Sequence, residues 1–140
     1  MKKQLVVLFT LAAIALITFN SCEPFVENKI IIKNMADGSI SLNVKAHLYD
    51  VPAGTELVIN DFDRGKYEYE TLYSVPYTVT DFAAVGDVSG EMNLIGGTEI
   101  FIVYTSTFTV TATTSTYTVY GSMTSSDSRD RKDPFVIVSP

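Results

Sequence analysis

The chain has 140 residues, of which 46% are hydrophobic, 11% aromatic and 19% charged, with one Cys, one His and no Trp. Hydrophobicity at this level excludes a disordered chain, which combines low hydrophobicity with high charge. A single Cys excludes a disulfide framework and a cysteine-rich zinc site. Ten basic against sixteen acidic residues leave a net charge of −6, the wrong sign for broad docking on nucleic acid.

The chain opens with Lys2 and Lys3 and continues as a 15-residue apolar run from Leu5 to Phe19, closed by Asn20, Ser21 and Cys22. A bilayer-spanning helix needs about 20 apolar residues, so a run of this length suits the core of a secretory signal better than a permanent anchor. The lone Cys falls directly after a small residue, at the point of cleavage.

Phe19-Asn20-Ser21-Cys22 thus resembles the lipobox of bacterial lipoprotein signal peptides, with Phe19 where the family usually has Leu. The resemblance covers residues 1–22 and implies cleavage before Cys22, acylation of its thiol with a diacyl group and of the new amine with a further chain such as palmitate. Glu23 follows the cysteine where inner-membrane retention would place Asp, so the resemblance implies the outer membrane. Removal of residues 1–21 takes Lys2 and Lys3 and no acid, which moves the net charge from −6 to −8. The expected organisation is a signal peptide over 1–21, a lipidated tether over 22–28 and one β-domain over 29–140.

From Lys29 onward, alternation of apolar and polar residues with abundant Val, Ile, Thr and Tyr predicts strands throughout. Ile30 to Ile32 reads as a buried strand. Asp37-Gly38 supplies a turn, and Ser39 to Tyr49 alternates as one strand with Ile40, Leu42, Val44, Ala46 and Leu48 inward and Ser41, Asn43, Lys45 and His47 outward, so that Lys29 to Tyr49 reads as a hairpin. Val51 to Gly54 turns, Thr55 to Asn60 is a strand, Asp61 to Gly65 turns, and Lys66 to Ser74 is a strand ended by Pro76. Asp81 to Gly90 reads as a loop. Glu91 to Ile95 and Thr98 to Ala112 flank Gly96-Gly97 as a second hairpin. After a turn near Thr113 and Thr114 come Thr116 to Met123, a polar loop from Thr124 to Asp133, and a last strand from Phe135 to Val138. About eight short strands predict an all-β fold, a small antiparallel β-sandwich (Ig-like or similar), with a small β-barrel as the alternative.

Candidate chemistry is sparse. His47 sits on a predicted polar strand face, and no nucleophile elbow, phosphate loop or histidine-based metal spacing is present. Asn60 to Gly65 resembles a calcium loop only until Leu72, which stands where the bidentate Glu belongs, so a plain turn is expected. No enzyme activity, metal or cofactor is expected. Along Thr98 to Thr113 the even positions Ile100, Ile102, Tyr104, Phe108, Val110 and Ala112 are mainly apolar, whereas Thr105, Thr107, Thr109, Thr111 and Thr113 occupy odd ones, which predicts a strand with one solvated face. Tyr67, Tyr69 and Tyr73 share one face of a strand, with Tyr77 just past Pro76. Such a stripe is either core or an exposed surface for protein or glycan. The expected role is that of a non-catalytic interaction or structural module, anchored to the membrane by its lipid, with an envelope protein or glycan as partner and no nucleic acid. A barrel would instead hold an apolar or carbohydrate ligand.

Overall fold

The computed structural model describes residues 27–127. The expected signal peptide, Cys22, most of the tether, the later part of the polar loop and the strand from Phe135 to Val138 lie outside those residues. Within them are nine strands: β1 (Asn28–Met35), β2 (Ile40–Val44), β3 (His47–Val51), β4 (Glu56–Phe62), β5 (Gly65–Tyr73), β6 (Asp81–Gly86), β7 (Ser89–Leu94), β8 (Thr98–Val110) and β9 (Ser115–Asp127).

The strands form a five-stranded sheet in the order β4-β1-β8-β9-β6 and a four-stranded sheet in the order β3-β2-β5-β7. Neither sheet closes on itself, so the molecule is a β-sandwich and the barrel alternative is set aside. Most pairs are antiparallel, but β1–β8 and β6–β9 run parallel. The core lies between the sheets. Ile30, Ile32, Ile100, Ile102, Tyr104 and Val119 from the larger sheet meet Ile40, Leu42, Val44, Tyr69, Met92 and Leu94 from the smaller one. Strict period-2 burial along β1, β2 and the Ile100 to Tyr104 stretch of β8 is what alternation dictates when one face of each strand is dry.

Two expected hairpins are absent, for one physical reason. β1 belongs to the larger sheet and β2 to the smaller, and β7 and β8 are split in the same way. Asp37-Gly38 and Gly96-Gly97 therefore carry the chain from layer to layer, and the strands they join are not paired. Gly96 and Gly97 do so at φ 100° and 69°, a region that Gly enters without strain. Both crossings are held by buried asparagines at the ends of β1. Asn28 donates to the carbonyl of Phe62 and accepts from the amides of Gly96 and Thr98. Asn34 donates to the carbonyls of Gly38 and Val51 and accepts from the amide of Ala36. Asn28, placed by the sequence at the end of the tether, is thus the first residue of β1.

The segment Ser39 to Tyr49 also departs from expectation. It is two strands, because Lys45 and Ala46 take φ of 55° and 58° and form a two-residue turn between Val44 and His47. A turn of this hand matches the strand twist but usually draws Asn-Gly. Here the Lys45 ammonium lies 4.4 Å from the centre of the Tyr67 ring and 3.8 Å from an Asp63 carboxylate oxygen, contacts that favour the turn. Since two residues leave the strand, facing is reversed beyond it. His47 and Tyr49 stand opposite Val44 and Leu42 on the core side, whereas Leu48 turns outward and is 51% exposed.

Two further stretches read as loops are strands. Asp81 to Gly86 forms β6, an edge strand paired in parallel with β9. Thr124 to Asp127 continues β9 against Thr98 to Phe101 of β8. Neither carries strong β-formers on both faces; long neighbouring strands hold them in place.

Candidate functional site

Direction matters first. β8 runs parallel to β1, with Lys29 opposite Glu99 and Met35 opposite Thr105. The end of the sandwich where β1 begins is therefore opposite the turn joining β8 to β9. Both of these strands are 13 residues long, against nine for β5, the longest strand of the facing sheet. The β8–β9 hairpin outruns its cover.

At this overhang the core-facing side of the larger sheet carries a row of aromatic rings. Phe82 of β6 and Phe108 of β8 both stand opposite Tyr117 of β9. Tyr117 is buried, and its hydroxyl accepts a hydrogen bond from the amide of Gly38 at 3.1 Å. Phe82 and Phe108 are each 39% exposed, and Val110, next along the same face, is 66% exposed. Tyr77 stacks on Phe108 with centroids 4.4 Å apart and planes 17° apart, and meets Tyr117 edge-on at 5.9 Å. Tyr73 completes the cluster, its ring centroid 5.5 Å from that of Phe82.

Tyr77 lies on the connection between β5 and β6, yet that connection is tied down at both ends. The amide of Ser74 bonds the carbonyl of Ser39, and the amide of Thr80 bonds the carbonyl of Ser115, which returns a bond from its own amide to the Thr80 hydroxyl. The rings are therefore held in place before any partner arrives, which lowers the entropic loss on contact.

The four tyrosines singled out in the sequence do not form one surface. Tyr67, near the end where β1 begins, is half-buried, with its hydroxyl donating to the carbonyl of Asp63 and its ring edge-on to Phe62. Tyr69 is buried in the middle of the core, and Tyr73 is half-buried farther along. The stripe on β5 faces inward, the core reading of the two the sequence left open. Only Tyr77 is exposed, and its ring neighbours are Phe108 and Tyr117, neither of which the sequence reading groups with it. The one available signal was the length of the Thr98 to Ala112 run, too long for a facing strand to cover.

Inside the same end of the core, the Tyr104 and Thr71 hydroxyls are 2.6 Å apart. Burial drives the Tyr104 hydroxyl well above the usual phenol range and pushes that of Tyr73 up to about 12, and burial with the nearby Asp87 charge raises Tyr69. An acid whose pKa is raised by folding loses stability once the unfolded chain begins to ionise. Stability is therefore expected to be level below about pH 10, where a free tyrosine titrates, and to fall as the pH rises toward the folded value of about 12. Thermal unfolding across this range is expected to show a shallower alkaline fall in Tyr104→Phe than in wild type.

A shallow groove of about 490 Å³ lies on the smaller sheet, between the β2–β3 turn and β5, with Asn43, Lys45, Lys66, Glu68 and Glu70 in its walls. Its two lysines are already engaged, Lys45 with Asp63 and Lys66 with Glu91 at 2.9 Å. The Lys66 ammonium is raised in pKa by its hydrogen bond to Glu91 and that residue's charge. His47, read as a solvated surface histidine, is exposed and packs edge-on against Tyr49 at 4.5 Å. Among the described residues, no three His, Cys, Asp or Glu side chains come together as metal ligands would. Asp63 and Arg64 make the short connection from β4 to β5.

The chain matches no protein-family model, and no curated protein resembles it in sequence.

Proposed function

We propose that this chain is a lipid-anchored lipoprotein of the outer membrane that works as a non-catalytic interaction module, holding an aromatic contact surface away from the bilayer for an envelope protein partner. The observation that carries the reading is the placement of the two ends. The domain is entered at Asn28, and Glu23 to Glu27 can span at most about 18 Å, so a lipid on Cys22 keeps the β1 end close to the membrane. From the level of Glu99 to Val110, β8 extends a further distance of about 36 Å at the usual strand rise. The exposed rings of Tyr77, Phe82 and Phe108 then stand at the distal end, supplying rigid apolar area with one polar tip, as protein contact surfaces commonly do.

Two measurements test this. Cys22→Ala is expected to abolish membrane association and leave a precursor that retains residues 1–21; mass spectrometry finding an unmodified Cys22 in the mature protein would overturn the anchor. A photo-reactive residue at Val110 is expected to cross-link to an envelope neighbour in intact cells, and one at Val58, exposed on the outer face of the larger sheet, is not. Cross-linking from neither position would remove the distal end as a contact surface.

A further inference from the structure

We propose that residues Thr107–Val110 of β8 form a self-association edge, against which the same segment of a second copy pairs antiparallel. This names the partner at the distal end and rests on the reading of that end as the contact surface, though not on the lipid anchor. β1 stops opposite Thr105, and the turn that follows it closes over Ser106 through the Asp37 amide, 3.0 Å from the Ser106 hydroxyl. Beyond that point, among the described residues, β8 has β9 on one side and no strand on the other. Its backbone there offers donors and acceptors to whatever strand arrives.

An open edge is ordinarily blunted by charge, proline or a bulge. The other edges of this sandwich are: β3 carries His47 and Asp50, β4 carries Glu56 and Asp61, β7 carries Glu91, and β6 opens on Asp81. The overhang carries none of these. Residues 100–126 contain no Asp, Glu, Lys or Arg at all, and Thr107 to Ala112 is an uncharged, proline-free window rich in β-branched residues, of the kind that pairs with itself.

Charge selects the second copy as occupant. Two acidic chains repel wherever their charged faces meet, and this hairpin is the long segment where they can approach without that penalty. The edge is also self-complementary. An antiparallel pairing about a two-fold axis sets identical segments opposite one another, and a register that keeps the apolar faces together brings Phe108 of each copy beside Phe108 or Val110 of the other. Cross-strand aromatic and β-branched pairs of that kind are the favourable ones, and the exposed area of Phe108 and Val110 becomes shared core.

Sedimentation equilibrium of the unlipidated Cys22→Ser chain from residue 22 onward tests the proposal. A reversible monomer–dimer equilibrium is expected. Thr109→Lys, on the exposed face away from the stacked rings, is expected to weaken it by about tenfold or more, since like charges across a strand pair repel, while the melting temperature read at a dilution where neither chain associates is unchanged. An equal mixture of Thr109→Lys and Thr109→Glu is expected to restore association through a heterodimer. A wild-type chain that stays monomeric across the concentration series, or a dimer indifferent to Thr109→Lys, would overturn the proposal. Cross-links from position 110 to a different protein, with a monomeric wild type, would do the same while leaving the proposed function standing.

Discussion

Asn34→Ala is expected to destabilise the domain by about 3–5 kcal/mol, since each buried polar group left without a partner costs about 1–3 kcal/mol. Three such groups depend on this side chain. Its amide nitrogen donates to the carbonyls of Gly38 and Val51, both at 2.9 Å, and its oxygen accepts from the amide of Ala36 at 3.0 Å. Asn34 itself is fully buried. Asn34→Asp keeps the acceptor but turns an anion toward two carbonyls, so it is expected to be at least as damaging. Urea denaturation with an unchanged slope and a lowered midpoint would give the loss directly. A loss below about 1 kcal/mol, the usual size of a surface effect, would mean that the crossing from β1 to β2 is held by something other than Asn34.

Leu42→Ala is the second large effect, at about 2–5 kcal/mol, because the cavity adds to the lost transfer energy of the side chain. Leu42 is fully buried, whereas Leu48 in the next strand is 51% exposed. The control is therefore Leu48→Ala, expected to stay within about 0.5 kcal/mol. Comparable losses at the two positions would mean that the Lys45-Ala46 turn does not form and that Ser39 to Tyr49 is one strand after all. The same comparison separates two readings of His47, which the turn moves to the core-side face beside Tyr49.

That pair also marks where sequence reasoning succeeds and where it stops. Alternation at Ile30 and Ile32, Leu42 and Val44, or Ile100 and Ile102 is a property of neighbouring residues, so strands and their dry faces could be read directly. Turn chemistry is equally local, and Asp37-Gly38 has the same appearance whether it closes a hairpin or hands the chain to the opposite sheet. Which of the two occurs depends on partners such as Glu99 for Lys29 and Tyr73 for Ile40, and no nearby residue encodes them. The Lys45-Ala46 turn was missed because it lacks Asn or Gly and draws on Tyr67 and Asp63, far along the chain. β6 was missed because Ala83, Ala84 and Gly86 are poor strand formers, and the strand exists through its pairing with β9. As for the site, the tyrosines were visible but their setting was not. Phe108 continues the same alternation as Tyr104 but lies past the end of the facing sheet, which is a matter of relative strand length.

The parallel pairing of β1 with β8 bears on the time course of folding as well as on shape. β1 is an inner strand, yet one of its neighbours begins 70 residues later, as the Asn28–Thr98 contact records. A chain synthesised N-terminus first must therefore keep Ile30 and Ile32 half-covered until most of the domain has followed. Such high contact order predicts folding in milliseconds to seconds rather than microseconds. The β8–β9 hairpin is local and can form first, so it is the natural template onto which the early strand docks late.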